Sequence, residues 1–66
     1  MKLKKGYIFK SLTKRDGTLY GKIHIHKTEY TLYMCGNRGS HEIEIGNGAD
    51  EGQVCKNCLR EYAKDN

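Results

Sequence analysis

The chain has 66 residues, of which 36% are hydrophobic, with one Phe, no Trp and a mean hydropathy of −0.82. That is enough for one domain, residues 1–66, but too little apolar surface for core burial alone to hold it, which excludes a large enclosed active site and calls for a staple. The net charge of +4 is unevenly spread: residues 1–27 carry eight Lys or Arg against Asp16, whereas residues 28–66 carry four against seven acids.

The first residues are basic, and only Tyr7-Ile8-Phe9 separate Gly6 from Lys10. This run is too short for a secretion signal or a membrane span, so a cytoplasmic protein without a membrane partner is expected. Residues 7–13 are rich in aromatic and β-branched types and predict a strand, read here as an edge strand. Asp16-Gly17 predicts a tight turn. From Thr18 to Lys27 the chain alternates, with Leu19, Gly21, Ile23 and Ile25 on one face and Tyr20, Lys22, His24 and His26 on the other. Residues 30–35 predict a third strand, and His41-Glu42-Ile43-Glu44-Ile45 a short fourth. The Gly-rich segment from Gly46 to Gly52 predicts a flexible connection. The period then changes. Val54, Cys55, Cys58, Leu59 and Tyr62 fall on one helical face, with Asp50 and Glu51 placed to favour the helix N-terminus.

Cys55-Lys56-Asn57-Cys58 is the sharpest signal. Two cysteines three apart at a helix start aim both sulfurs at one ion, and the helix dipole favours thiolates. Cys35 adds a third sulfur from a separate element. Three cysteines fit a disulfide framework poorly, and a Cys-x-x-Cys redox pair expects a βαβ context that is missing. Tetrahedral zinc held by Cys₃His is the expected cofactor, and it supplies the missing staple. The fold class is therefore a small α+β zinc-stapled domain, a three- to four-stranded antiparallel β-meander followed by a short C-terminal α-helix, zinc-ribbon or treble-clef-like.

Three histidines compete for the fourth place. His24 and His26 share a strand face, and His41 follows Cys35 by six residues. The flanking Ile23 and Ile25 favour His24 by packing its strand into the core, whereas His26 lies nearer the turn. All three remain open on spacing alone.

Lys22-Ile23-His24-Ile25, Thr31-Leu32-Tyr33-Met34-Cys35-Gly36 and Val54-Cys55-Lys56-Asn57-Cys58-Leu59-Arg60 together resemble small phage- and prophage-encoded zinc-finger-like proteins. That family has a His-Leu element, a Cys-Gly about ten residues later and a terminal Val-Thr-Cys-x-x-Cys-Leu helix start. This chain departs from it in placing Val54 directly before Cys55 and Tyr33-Met34 before Cys-Gly. The resemblance spans roughly residues 22–60. It implies His24 as the fourth ligand, a bacterial host cell and no settled activity.

No phosphate loop and no His-Glu-x-x-His occurs, so neither an enzyme nor a small-molecule substrate is expected. Two partner classes fit the charge. Nucleic acid would meet Lys4, Lys5, Lys10, Lys14, Arg15 and Lys22, joined by Lys2 and Lys27, with Tyr7 or Tyr20 for stacking. A bacterial host protein, bound by an adaptor or inhibitor, would instead pair with the strand at residues 7–13.

Overall fold

The Asp-Gly signal turns the chain where expected. In the computed structural model, which describes residues 1–65, β1 (Tyr7–Thr13) and β2 (Leu19–Lys27) form an antiparallel hairpin. The Asp16 carboxylate accepts from Thr18 N–H at 2.9 Å, and Gly17 takes a φ of 89°. A side chain that caps its own turn and a residue free to adopt positive φ are what so tight a reversal requires. A bulge follows. Ser11 faces Ile23 while Leu12 faces Tyr20, leaving Gly21 and Lys22 extra in β2. Burial in β2 begins only at Ile23, and the four residues before it are exposed.

The expected class stands, a three-stranded antiparallel sheet with a C-terminal helix, but the strands are assembled differently. Residues 30–35 form turns with a single bridge between His26 and Tyr33 rather than a strand. Their β propensity is overridden because Gly36, at φ 92°, folds the chain back so that its N–H meets Tyr33 O at 2.8 Å. The third strand is β3 (Glu42–Gly46), and it pairs with β1, giving the order β2-β1-β3. Residues 7–13 are thus the central strand and not an edge.

Phe9 and Ile25, directly opposite each other, are both fully buried and start the core. Leu3, Tyr33, Val54, Cys58 and Tyr62 complete it. The helix α1 (Lys56–Lys64) buries Cys58 and Tyr62, four residues apart, as its periodicity predicts. The Tyr62 and Tyr7 rings meet edge to face with centroids 4.9 Å apart, and the Tyr62 hydroxyl accepts a hydrogen bond from Lys4 N–H at 3.0 Å, clasping helix to sheet. The Tyr7 hydroxyl donates to Asp65, which also pairs with Lys27 at 3.2 Å.

Two further expectations change. Asp50 caps a 3₁₀ turn, Glu51–Gln53, by accepting from Gly52 N–H at 3.1 Å, so the acids upstream of α1 serve that turn. Cys55 stands at the N-cap position of the helix itself without a side-chain capping bond. The Gly-rich connection is also tied down. Leu3 N–H donates to Asn47 O at 2.8 Å and Ala49 N–H to Met1 O at 3.0 Å, which binds residues 1–3 against 47–49. No helix is long and apolar enough to cross a membrane among the described residues.

Candidate metal centre

The centre is built on the outer edge of β2. An edge strand exposes a row of unpaired carbonyls, and here three of them are claimed. Ile23 O accepts from Cys55 N–H at 2.8 Å, Ile25 O from Met34 N–H at 2.8 Å and Lys27 O from Tyr30 N–H at 2.9 Å. Two chain segments are therefore pinned at positions two residues apart on one strand. The first delivers Cys35 just after Met34. The second delivers Cys55, with Cys58 one helical turn on. His24 lies between the two pinning points.

Ligand atoms of His24, Cys35, Cys55 and Cys58 all lie within 4.8 Å of one another, an arrangement that can hold a metal ion. His24 Nδ1 is 3.6 Å from Cys35 Sγ and 3.6 Å from Cys58 Sγ. With a metal–sulfur bond of about 2.3 Å and a metal–nitrogen bond of about 2.0–2.1 Å, a tetrahedral zinc ion requires N···S separations of about 3.6 Å. The donor set fits. Cys58 is fully buried and His24 nearly so, whereas Cys35 and Cys55 are half-buried at the rim.

The electrostatics suit a cation. Burial holds the His24 imidazole below its ordinary pKa, against a weaker opposing pull from Glu42, and only the neutral ring can coordinate. Burial likewise pushes the Cys58 thiol up to about 12, with the neighbouring Cys35 adding to the rise. A thiolate at that depth needs a positive charge beside it. Cys55 moves the other way. Burial raises it, but the backbone N–H groups of Cys58 and Asn57 at the helix start, with the thiols of Cys58 and Cys35, more than offset this.

Comparison with protein-family models, curated proteins and solved structures finds no match to this chain.

Of the three histidines, then, it is His24 that joins the sulfurs. His26 is turned away, its Nε2 2.6 Å from Tyr30 O, and His41 is exposed ahead of β3. Two residues that spacing does not single out hold His24 in place. The Tyr33 ring stacks on the imidazole with centroids 4.6 Å apart and planes 7° from parallel. Its hydroxyl donates to Glu42 at 2.7 Å, and Glu42 also pairs with Lys10 at 2.8 Å. Burial would raise the Glu42 carboxyl, yet the Lys10 ammonium and the Tyr33 hydroxyl together draw it below its ordinary value. The chain of contacts runs from β1 through β3 to the imidazole. Only Tyr33's closeness to Cys35 in sequence hinted at it.

The basic residues are distributed rather than gathered. Lys10 is engaged with Glu42, and Lys27 with Asp65 and Glu29. Lys4 and Lys5 precede β1, whereas Lys14 and Arg15 follow it, so its seven residues separate the two groups by about 23 Å. Lys14, Arg15 and Lys22 are exposed on the hairpin with Leu19 and Tyr20, and the Lys22 ammonium donates to Gly52 O at 3.4 Å.

Proposed function

We propose that the chain is a small, non-enzymatic zinc-binding module that contacts nucleic acid through the tip of its β1–β2 hairpin. The convergence of His24 with three cysteines carries the zinc reading. Three thiolates and one imidazole are a soft donor set that suits zinc and rejects magnesium or calcium. Four protein donors also close a tetrahedral site, leaving no position for water or substrate, which speaks for a structural rather than a catalytic ion. Two surface recesses, of about 270 and 310 Å³, share Tyr30, the first also lined by Tyr33 and Met34 and the second by Thr31 and Leu32, and neither is lined by any of the four ligands.

The exposed hairpin supports the nucleic-acid reading. Lys14, Arg15 and Lys22 make no ion pair among the described residues, and Tyr20, 47% exposed, offers a ring for base stacking. The resemblance to phage and prophage proteins supports action in the cytoplasm of a bacterial host.

Elemental analysis tests the first half, with one zinc per chain expected and no metal the contrary result. For the second half, binding to a fluorescent single-stranded oligonucleotide is followed across salt concentrations. Replacing Lys14, Arg15 and Lys22 together by Ala should reduce the slope of log affinity against log salt by about 2. An unchanged slope removes the hairpin from the interface. A protein partner is the second reading, and the open edge of the sheet favours it.

A further inference from the structure

The two edges of the sheet are treated oppositely. On β2 the outward carbonyls are taken by Tyr30, Met34 and Cys55. On β3 none is taken. Thr13 N–H donates to His41 O at 2.9 Å, so residues 41 and 43 turn their hydrogen-bonding groups towards β1. By the alternation of an antiparallel ladder, Glu42 and Glu44 then point their N–H and C=O groups away from the sheet. Neither backbone has a further partner among the described residues.

The side chains beside this edge define what could pair with it. Ile43, 46% exposed, stands between Glu42 and Glu44, and Ile45, 37% exposed, lies at a bulge where the register passes from Glu44 to Gly46. Residues 41–53 hold four acids, Glu42, Glu44, Asp50 and Glu51, and no Lys or Arg. A second copy is disfavoured. Antiparallel self-pairing of β3 sets Glu42 against Glu44 when centred on Ile43, and Glu44 against its own counterpart when centred on Glu44, and like charges directly opposite are repulsive. Nucleic acid is repelled by the same acids.

We propose that the outer edge of β3 is a strand-addition site for an extended segment of a partner protein in which Lys or Arg alternates with apolar residues. The partner's backbone pairs with the outward groups of Glu42 and Glu44, a basic side chain lies beside the Glu44 carboxylate, and an apolar side chain covers Ile43. The Glu44 carboxylate has no ion pair among the described residues, while that of Glu42 is held by Lys10 and Tyr33. Backbone pairing supplies the attachment and the alternating side chains the selectivity. The site is separate from the hairpin tip and stands whether or not the hairpin binds nucleic acid.

The probe is a capped hexapeptide, Lys-Val-Lys-Val-Lys-Val, titrated into the zinc-loaded full chain and followed by amide NMR. A Glu-Val alternating peptide and a block peptide of three Lys then three Val are the controls. Shifts confined to β3, with slowed exchange of the Glu42 and Glu44 amides, are expected for the first peptide, and at least about ten-fold weaker binding for both controls. Glu44→Lys should weaken the first peptide about ten-fold and strengthen the Glu-Val peptide. Glu44→Gln removes the charge alone, whereas Glu44→Pro removes the charge and an outward donor together. The proline variant should therefore bind the first peptide more weakly than the glutamine one, the spectrum of the free variant reporting that the fold is kept; equal binding by the two overturns strand addition. Equal binding of the Lys-Val and block peptides reduces the edge to a charge patch and overturns strand addition. So does the absence of binding at millimolar peptide, a set of shifts on α1 or the hairpin, or displacement of the peptide from β3 by a single-stranded oligonucleotide.

Discussion

The outer edges of β2 and β3 are made of similar backbone and meet different fates. β2 carries His24 and has its carbonyls covered by the two segments that bring in the cysteines. β3 carries Glu42 and Glu44 and is left open to water. One edge is closed by long-range chemistry and the other guarded only by charge. The difference teaches where the stability of so small a chain resides. The covering segments have little regular structure of their own, and they are kept against β2 by their hydrogen bonds to its carbonyls, by the burial of Tyr33 and Val54, and by the convergence of their cysteines on His24.

The severest way to break the comparison is to open the closed edge. Cys58→Ser removes the one fully buried sulfur of the cluster. Structural zinc contributes about 10–16 kcal/mol in small domains, as much as an entire domain's stability of about 5–15 kcal/mol. The variant should therefore lose amide dispersion even with zinc present, and a chelator should do the same to the parent chain. A cooperative melt and a dispersed spectrum in the metal-free protein would mean that the metal is incidental to the fold.

Paired prolines probe the edges one at a time. Met34→Pro deletes the donor to Ile25 O on the closed edge and should cost about 1–3 kcal/mol, because it leaves a carbonyl without its partner. Glu44→Pro deletes a donor that points to water and should cost about 1 kcal/mol or less, as edge strands tolerate proline. Thermal melts at fixed zinc measure both. Equal losses would show that the two edges are not distinct.

The smallest effect sharpens the link between them. Tyr33 stacks on His24 at the β2 side and donates to Glu42 at the start of β3. Tyr33→Phe keeps the ring and removes the hydrogen bond, so it should cost about 0.5–1.5 kcal/mol while the metal is retained. With cobalt in the site, the visible bands should keep their tetrahedral intensity and shift only slightly. Lost coordination would place the hydroxyl nearer the heart of the centre than its bond to Glu42 suggests.

Much of this was legible in the residues themselves. Asp16-Gly17 specified the hairpin turn because a self-capping carboxylate and a residue at positive φ act within four positions. Cys55 and Cys58 specified a joint site because one helical turn fixes their separation, and the spacing of Cys58 and Tyr62 specified the buried face of α1. Val54, expected on that face, is instead buried ahead of the helix in an extended bridge to Ile23. Those relations are local, and local geometry is short enough to be read from spacing.

The tertiary structure decided what depends on partners far along the chain. Residues 30–35 have the composition of a strand, and Glu42–Gly46 no stronger a claim, yet the second became β3, because Gly36 folds the first into a turn and β1 takes residues 42–46 as its second neighbour. The choice of His24 over His26 was settled the same way. Both lie on one face of one strand, and spacing treats them alike. Only the segments pinned at Ile23 and Ile25, on either side of His24, gather three sulfurs around its imidazole and leave His26 to Tyr30 O. Strand pairing is fixed by closure between distant segments, and a single sequence carries no record of which segments will close.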